Sequence, residues 1–204
     1  MEKTKFDDIR PYFEEEIPAA MKRIAASASF PTLAAYVYPD EPLDTVRRRI
    51  ASYDNVRDFQ TETMCLVNER VIGNSMTAFS CSGLERLSPD RQYLYVSNHR
   101  DIMLDSSLLQ YSLVKHGFDT TEITFGANLM VSQLVVDIGK SNKMFKVERP
   151  GGGIKEFYRS STHLSEYIRH AITEKHQSVW IAQRNGRTKD GNDATDQGIV
   201  RCSA

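Results

Sequence analysis

Cysteine is scarce. Cys65, Cys81 and Cys202 are the only thiols among 204 residues, odd in number and far apart. That excludes a disulfide framework and a cysteine zinc motif, and it suits a reducing cytoplasm. Long hydrophobic runs are also missing. The two longest apolar stretches, residues 24–38 and 129–138, are interrupted by Pro31 and Asp137 and are too short to span a bilayer. The first eight residues include Glu2, Lys3, Lys5, Asp7 and Asp8, too polar for a signal peptide. There is no excess of either charge, since the formal net charge is -1, and this argues against a general nucleic-acid binder. No internal repeat or low-complexity tract occurs. Histidines 116, 163, 170 and 176 lie in no ligand spacing with His99, so no metal site is expected.

What is present is an ordinary globular composition, 40% hydrophobic and 26% charged, enough for a sizeable core. Its charge is unevenly spread. Residues 1–141 carry 15 basic and 20 acidic side chains, whereas residues 142–204 carry 11 and 7, so the final third is where an anionic ligand is expected. Residues 1–72 read as a helical N-terminal region: Ile9, Phe13, Ile17, Met21 and Ile24 recur at near-helical spacing, and residues 43–53 and 56–71 are further helix candidates. Residues 73–204 alternate. Strands are predicted at 77–81, 93–97, 122–126, 144–147 and 178–182, with helices at 104–114, 132–138 and 154–173. This alternation predicts an α/β core, a mixed sheet flanked by helices.

Three segments could carry chemistry. The first is Ser97-Asn98-His99-Arg100-Asp101-Ile102-Met103-Leu104-Asp105, one histidine and two carboxylates at a strand-to-helix turn. A histidine that takes a proton, with an aspartate to fix its tautomer, is the minimum for general-base catalysis. The plainer alternative has Asp101 capping the helix and His99 as a hydrogen-bonded strand-end residue. The second runs from Asn142 to Gly153, a strand with Lys146 and Glu148 on one face, ending in Arg149 and a glycine run before a long helix. Backbone N–H groups there can approach an anion; a charged strand face plus a turn is the alternative. The third, residues 178–191, is a buried strand running into a loop with Arg184, Asn185, Gly186, Arg187 and Lys189. Arginine grips phosphate through a bidentate fork, although a solvated basic loop would read the same. All three follow strand C-terminal ends, where open α/β sheets bind ligands.

In this order the segments resemble the first three sequence blocks of the glycerolipid acyltransferases, which include the lysophosphatidate (1-acyl-sn-glycerol-3-phosphate) and glycerol-phosphate acyltransferases. The residues that carry the resemblance are Asn98-His99 with Asp105, Phe145-Lys146-Val147-Glu148-Arg149, and Arg184-Asn185-Gly186-Arg187. It covers roughly residues 79–200, and its longer context looks like a bacterial subgroup. The resemblance implies a glycerol-phosphate-acyltransferase-like α/β fold and transfer of a fatty acyl group from acyl-CoA or acyl carrier protein to a hydroxyl of lysophosphatidate or glycerol phosphate. His99 would be the general base and Asp105 its partner, with Asp101 the alternative. Arg149, Arg184, Gly186 and Arg187 would hold the acceptor's phosphate, with Asn98, Lys146 and Asn185 in support. The helix N-terminus after His99 would offer N–H donors to the oxyanion. Implied partners are the acyl thioester as co-substrate, a lysophospholipid and a membrane surface. No cofactor, metal or nucleic acid is implied. The expected location is cytoplasmic, including the inner face of the cell membrane, with the N-terminal helix or residues 30–38 as docking candidates.

Three departures from the family pattern stand out. The family's aspartate usually lies five residues after the histidine, whereas Asp105 lies six after His99. Asn185 replaces a glutamate that would organise the neighbouring arginines. The family normally continues into a further core strand, so the core is expected to stop short of it. Three other readings stay open: acylation of an aminolipid hydroxyl, a catalytically weakened lipid-binding protein, and a thioester hydrolase.

Overall fold

The computed structural model describes residues 4–148, 153–184 and 186–197. Four short segments form its sheet: β1 Leu94–Ser97, β2 Glu122–Gly126, β3 Met144–Val147 and β4 Val179–Ala182, in the order β1-β4-β2-β3. Val179, Trp180 and Ile181 of β4 are all buried, as an inner strand covered on both faces requires. β4 pairs in parallel with β1 on one side and with β2 on the other. Parallel neighbours cannot be joined by a tight turn, so each connection contains a helix. These are α6 Leu104–Lys115, α7 Gln133–Ser141 and α8 Ile154–Thr173. The protein is thus an α/β chain with a four-stranded parallel sheet flanked by helices, and with helices in its N-terminal region. The mixed sheet predicted from sequence is corrected to a parallel one.

The chain divides into two compact units. The first comprises the described residues of 4–10, 82–128 and 145–197. Its core joins Phe6 and Ile9 to Phe145, Tyr167, Ile168, Ala171, Val179 and Ile181. Ile9 accepts a backbone hydrogen bond from Lys146 (2.8 Å), which seats the N-terminal segment along β3. At the amino ends of the strands Glu122 is buried, and it accepts hydrogen bonds from the Tyr167 hydroxyl (2.6 Å) and the Lys175 ammonium. A buried carboxylate needs such partners to offset its lost hydration. Burial, reinforced by the Glu122 charge, pushes the Tyr167 hydroxyl far above the ordinary phenol range.

The second unit comprises residues 11–81 and 129–144. It holds α1 Ile17–Ala26, α2 Phe30–Val37 and α3 Leu43–Ser52, then a continuous helical run made of α4 Val56–Asp58, a π-helical segment Phe59–Met64 and α5 Cys65–Ser75. Pro18 stands in the first turn of α1 and Pro31 in that of α2, where a missing N–H costs nothing. The apolar faces of these helices close on Ile17, Met21, Ile24, Phe30, Val46, Ile50 and Phe59, with Leu134 and Ile138 of α7 against them. Asp137 of α7 is almost fully buried and takes two hydrogen bonds from Arg23 (2.9 and 2.7 Å) and one from Tyr12 (2.8 Å). Burial and that hydrogen bond push the Tyr12 hydroxyl up to about 12.

Two expectations about elements are corrected. Residues 77–81 form no strand: Phe79 is the one large apolar side chain in a stretch otherwise exposed, so pairing would bury little. The periodic stripe Ile9, Phe13, Ile17, Met21, Ile24 is not one helix. Pro18 starts α1 at Ile17, and Ile9 belongs to the sheet's core instead. Among the described residues, no helix is long and apolar enough to cross a membrane.

Candidate functional site

The site is set by the last rung of the β1–β4 ladder. Ser97 and Ala182 are paired there, so the two chains leave the sheet side by side and Asn98 emerges next to Gln183. The Gln183 N–H donates to the Ser97 carbonyl (2.8 Å) and its side-chain amide donates to Asn98 Oδ1 (2.9 Å). Behind them the Trp180 indole N–H donates to Ser97 Oγ (3.1 Å), fixing the strand ends from below.

His99 follows immediately. Its Nδ1 lies 2.9 Å from Asp105 Oδ2, and both side chains are largely covered. A carboxylate accepts, so Nδ1 carries a proton, and in the neutral imidazole Nε2 then presents its lone pair. Among the described residues Nε2 has no hydrogen-bond partner. Asp105 is the second residue of α6, and its carboxylate also accepts the N–H groups of Arg100 (2.8 Å) and Asp101 (3.0 Å). The turn therefore closes on Asp105. That arrangement absorbs the sixth residue of spacing without separating the aspartate from the imidazole.

Asp101 is engaged elsewhere. Its Oδ1 accepts the N–H groups of Met103 and Leu104, both at 2.8 Å, capping α6. Those two bonds, Leu104 first, hold its carboxyl below the usual carboxylate range, and the charge of Arg187 acts in the same direction. The same bonds occupy the amides of Met103 and Leu104, two of the donors that the helix N-terminus was expected to offer an oxyanion. Beside this turn Ile102 and Met103 leave apolar side chains 44% and 69% exposed.

The loop after β4 folds back over the turn. Gly186 takes φ +79°, a left-handed conformation that suits glycine. Two residues later the Thr188 N–H donates to the carbonyl of His99 (2.8 Å). Arg187 between them is exposed, and Arg184 donates to the Asn192 carbonyl (3.0 Å). Arg184, Gly186 and Arg187 are thus brought to the His99 turn. Lys146 is not. It sits on β3, three strand spacings or roughly 14 Å from β1, and pairs with Glu148 at 2.5 Å. Arg149 and Asn185 lie outside the described residues.

Sequence reasoning missed four contributors: Arg100, Gln183, Thr188 and Asp193. Asp193 Oδ2 accepts from Asn98 Nδ2 (2.9 Å) and Arg100 Nη2 (2.6 Å), while Oδ1 accepts from Thr188 Oγ1 (2.9 Å). The Thr188 hydroxyl and then the Arg100 guanidinium hold its carboxyl below the usual range, with the Arg184 charge adding to them. The one signal in the sequence was Asp190-Gly191-Asn192-Asp193, which marks a turn. Gly191 indeed takes φ +82°, and the Asn192 N–H is caught by Asp190 Oδ1. Nothing in that motif says what the turn reaches. Among the described residues, no group of three or more His, Cys, Asp or Glu side chains is placed to hold a metal ion.

The comparisons add no family assignment to this geometry: no protein-family model matches the chain, and no curated protein matches it.

Proposed function

We propose that the chain is an O-acyltransferase that moves a fatty acyl group from an acyl thioester, acyl-CoA or acyl carrier protein, to a hydroxyl of a glycerophosphate-type acceptor. The observation that carries this reading is the His99–Asp105 pair beyond the carboxyl edge of the sheet, its Nε2 unpartnered among the described residues, and the arginine-bearing loop held to the same turn through the Thr188 N–H. His99 Nε2 takes the proton of the acceptor hydroxyl as that oxygen attacks the thioester carbon. The C–S bond then breaks, and the imidazolium returns the proton to the leaving thiolate. Asp105 holds the reactive tautomer and stabilises the imidazolium. No covalent acyl-enzyme is required.

The arginines supply positioning. An acceptor phosphate held by Arg184 and Arg187 fixes its hydroxyl near His99, and such fixing can lower a barrier by several kcal/mol. Ile102 and Met103 give an acyl chain apolar contact beside the reacting atoms. The resemblance to the glycerolipid acyltransferases points the same way. Thiol release from acyl-CoA, measured with and without lysophosphatidate, tests the reading. Release that requires the acceptor supports transfer. Acceptor-independent release replaces it with hydrolysis, and no release by the folded protein with either acyl-CoA or acyl carrier protein replaces it with a binding role.

A further inference from the structure

Among the described residues of the site, Asp193 and Gln183 each bond through their side chains to both of its chain segments, and Asp193 is the charged one of the two. Residues 98–100 reach it through Asn98 Nδ2 and Arg100 Nη2, and the loop reaches it through Thr188 Oγ1. Thr188 in turn holds the His99 carbonyl through its N–H. The residue bearing the imidazole is therefore gripped from both flanks by groups that converge on one carboxylate. Asp193 is itself fixed from behind, because its own carbonyl accepts from Gln183 Nε2 (2.9 Å).

The chemistry requires a charged acceptor there. Three donors converge, one of them a guanidinium, and only an ionised carboxylate offers enough lone pairs without presenting a donor of its own. The pairing also keeps the half-exposed Arg100 turned toward Asp193. A loose guanidinium at this position could compete for Asp105 or for an incoming phosphate. The family's third block normally carries a carboxylate beside its arginines, and this sequence has Asn185 there. Asp193 brings a carboxylate to the same loop from farther along the chain.

We propose that Asp193 is a positioning residue that couples the Arg184–Arg187 loop to the His99 turn, so that an anionic headgroup on the loop is registered at the imidazole. The coupling deepens the acyltransferase reading and rests on it for its kinetic consequence, but the mechanical link can be read without catalysis.

The test uses Asp193→Asn and Thr188→Val, two near-isosteric changes that break the clasp at different points. In the thiol-release assay each lowers kcat by about 100-fold, the scale of a displacement of order 1 Å at a reacting centre, while the acceptor's KM stays nearly unchanged. The double variant is no worse than either single one, because both remove the same link. Independently, the ring resonances of His99 in histidine-labelled protein, assigned with His99→Gln, are followed during titration with sn-glycerol 3-phosphate. They shift in the wild type and stay still in both variants. If the wild type shows the resonance shift but no acceptor-dependent thiol release, acyl transfer fails and the coupling stands. A wild-type resonance that ignores the ligand overturns the coupling. So do variants that respond like the wild type, or variants with kcat close to wild type or losses that simply add.

Discussion

Ser97 and Ala182 face each other at the final rung of the β1–β4 ladder, and everything proposed for this site depends on that pairing. It delivers Asn98 and His99 from one strand, and Gln183 and Arg184 from its neighbour, at the same height.

Replacing His99 with Ala should lower acceptor-dependent thiol release by about 10²–10⁴-fold, the usual worth of a positioned general base. The imidazole is largely covered and bonded to Asp105, so the variant should also lose some thermal stability, and activity is compared in protein that circular dichroism shows to be folded. Activity that survives in a folded His99→Ala protein would remove the mechanism.

The two aspartates should separate cleanly. Asp105→Asn takes the acceptor away from His99 Nδ1 and should cost roughly 10²-fold or more in kcat, because the wrong tautomer then faces the acceptor. Asp101→Asn should be nearly silent, since asparagine caps a helix as well as aspartate does. Asp101→Ala should lose about 1 kcal/mol of stability in urea titration and leave His99 in place. The reverse ranking in kcat would make Asp101 the partner.

Arg187→Ala should raise the KM for a phosphate-bearing acceptor by about 10-fold, corresponding to one charge-assisted hydrogen bond of about 1.5–3 kcal/mol. An acceptor alcohol without phosphate should be used equally well by wild type and variant. Equal losses for both acceptors would show that Arg187 does not read phosphate.

Acid should destabilise the fold in a defined window. The carboxyls of Asp101, Asp137 and Asp193 are all held low: by backbone N–H groups at Asp101, by Arg23 and its neighbours at Asp137 against the opposing effect of burial, and by Thr188 and Arg100 at Asp193. For a depressed pKa the stabilisation is complete above the unfolded value of about 3.9 and is lost as pH falls through the lower folded value. The urea midpoint should therefore be flat above about pH 5 and decline below about pH 4. A midpoint that rises between pH 5 and pH 3 would contradict these pairings.

The sequence made most of the elements legible, since apolar runs bounded by turn residues marked all four strands and the helices between them. It misled where local pattern competes with burial. Residues 77–81 look strand-like, yet most of their side chains are exposed. Ile9 fits the helical period of Ile17 and Met21, yet it packs with Phe145 and Val179. At the site, His99 and Asp105 were readable because they are close in sequence. Asp193 was not, because its partners Asn98 and Arg100 are far away along the chain and meet it only through the strand register.

The buried Glu122–Tyr167–Lys175 cluster has a consequence for how this protein can change. It locks the amino ends of the sheet, whereas His99, Arg187 and Asp193 all stand on turns beyond the carboxyl ends. The Glu122–Tyr167–Lys175 cluster shares no side chain with the proposed site. If the acyltransferase proposal holds, exchanges at exposed loop residues such as Lys189 or Asn192 should alter acceptor choice and leave this cluster untouched, which makes the rim the natural starting point for directed evolution.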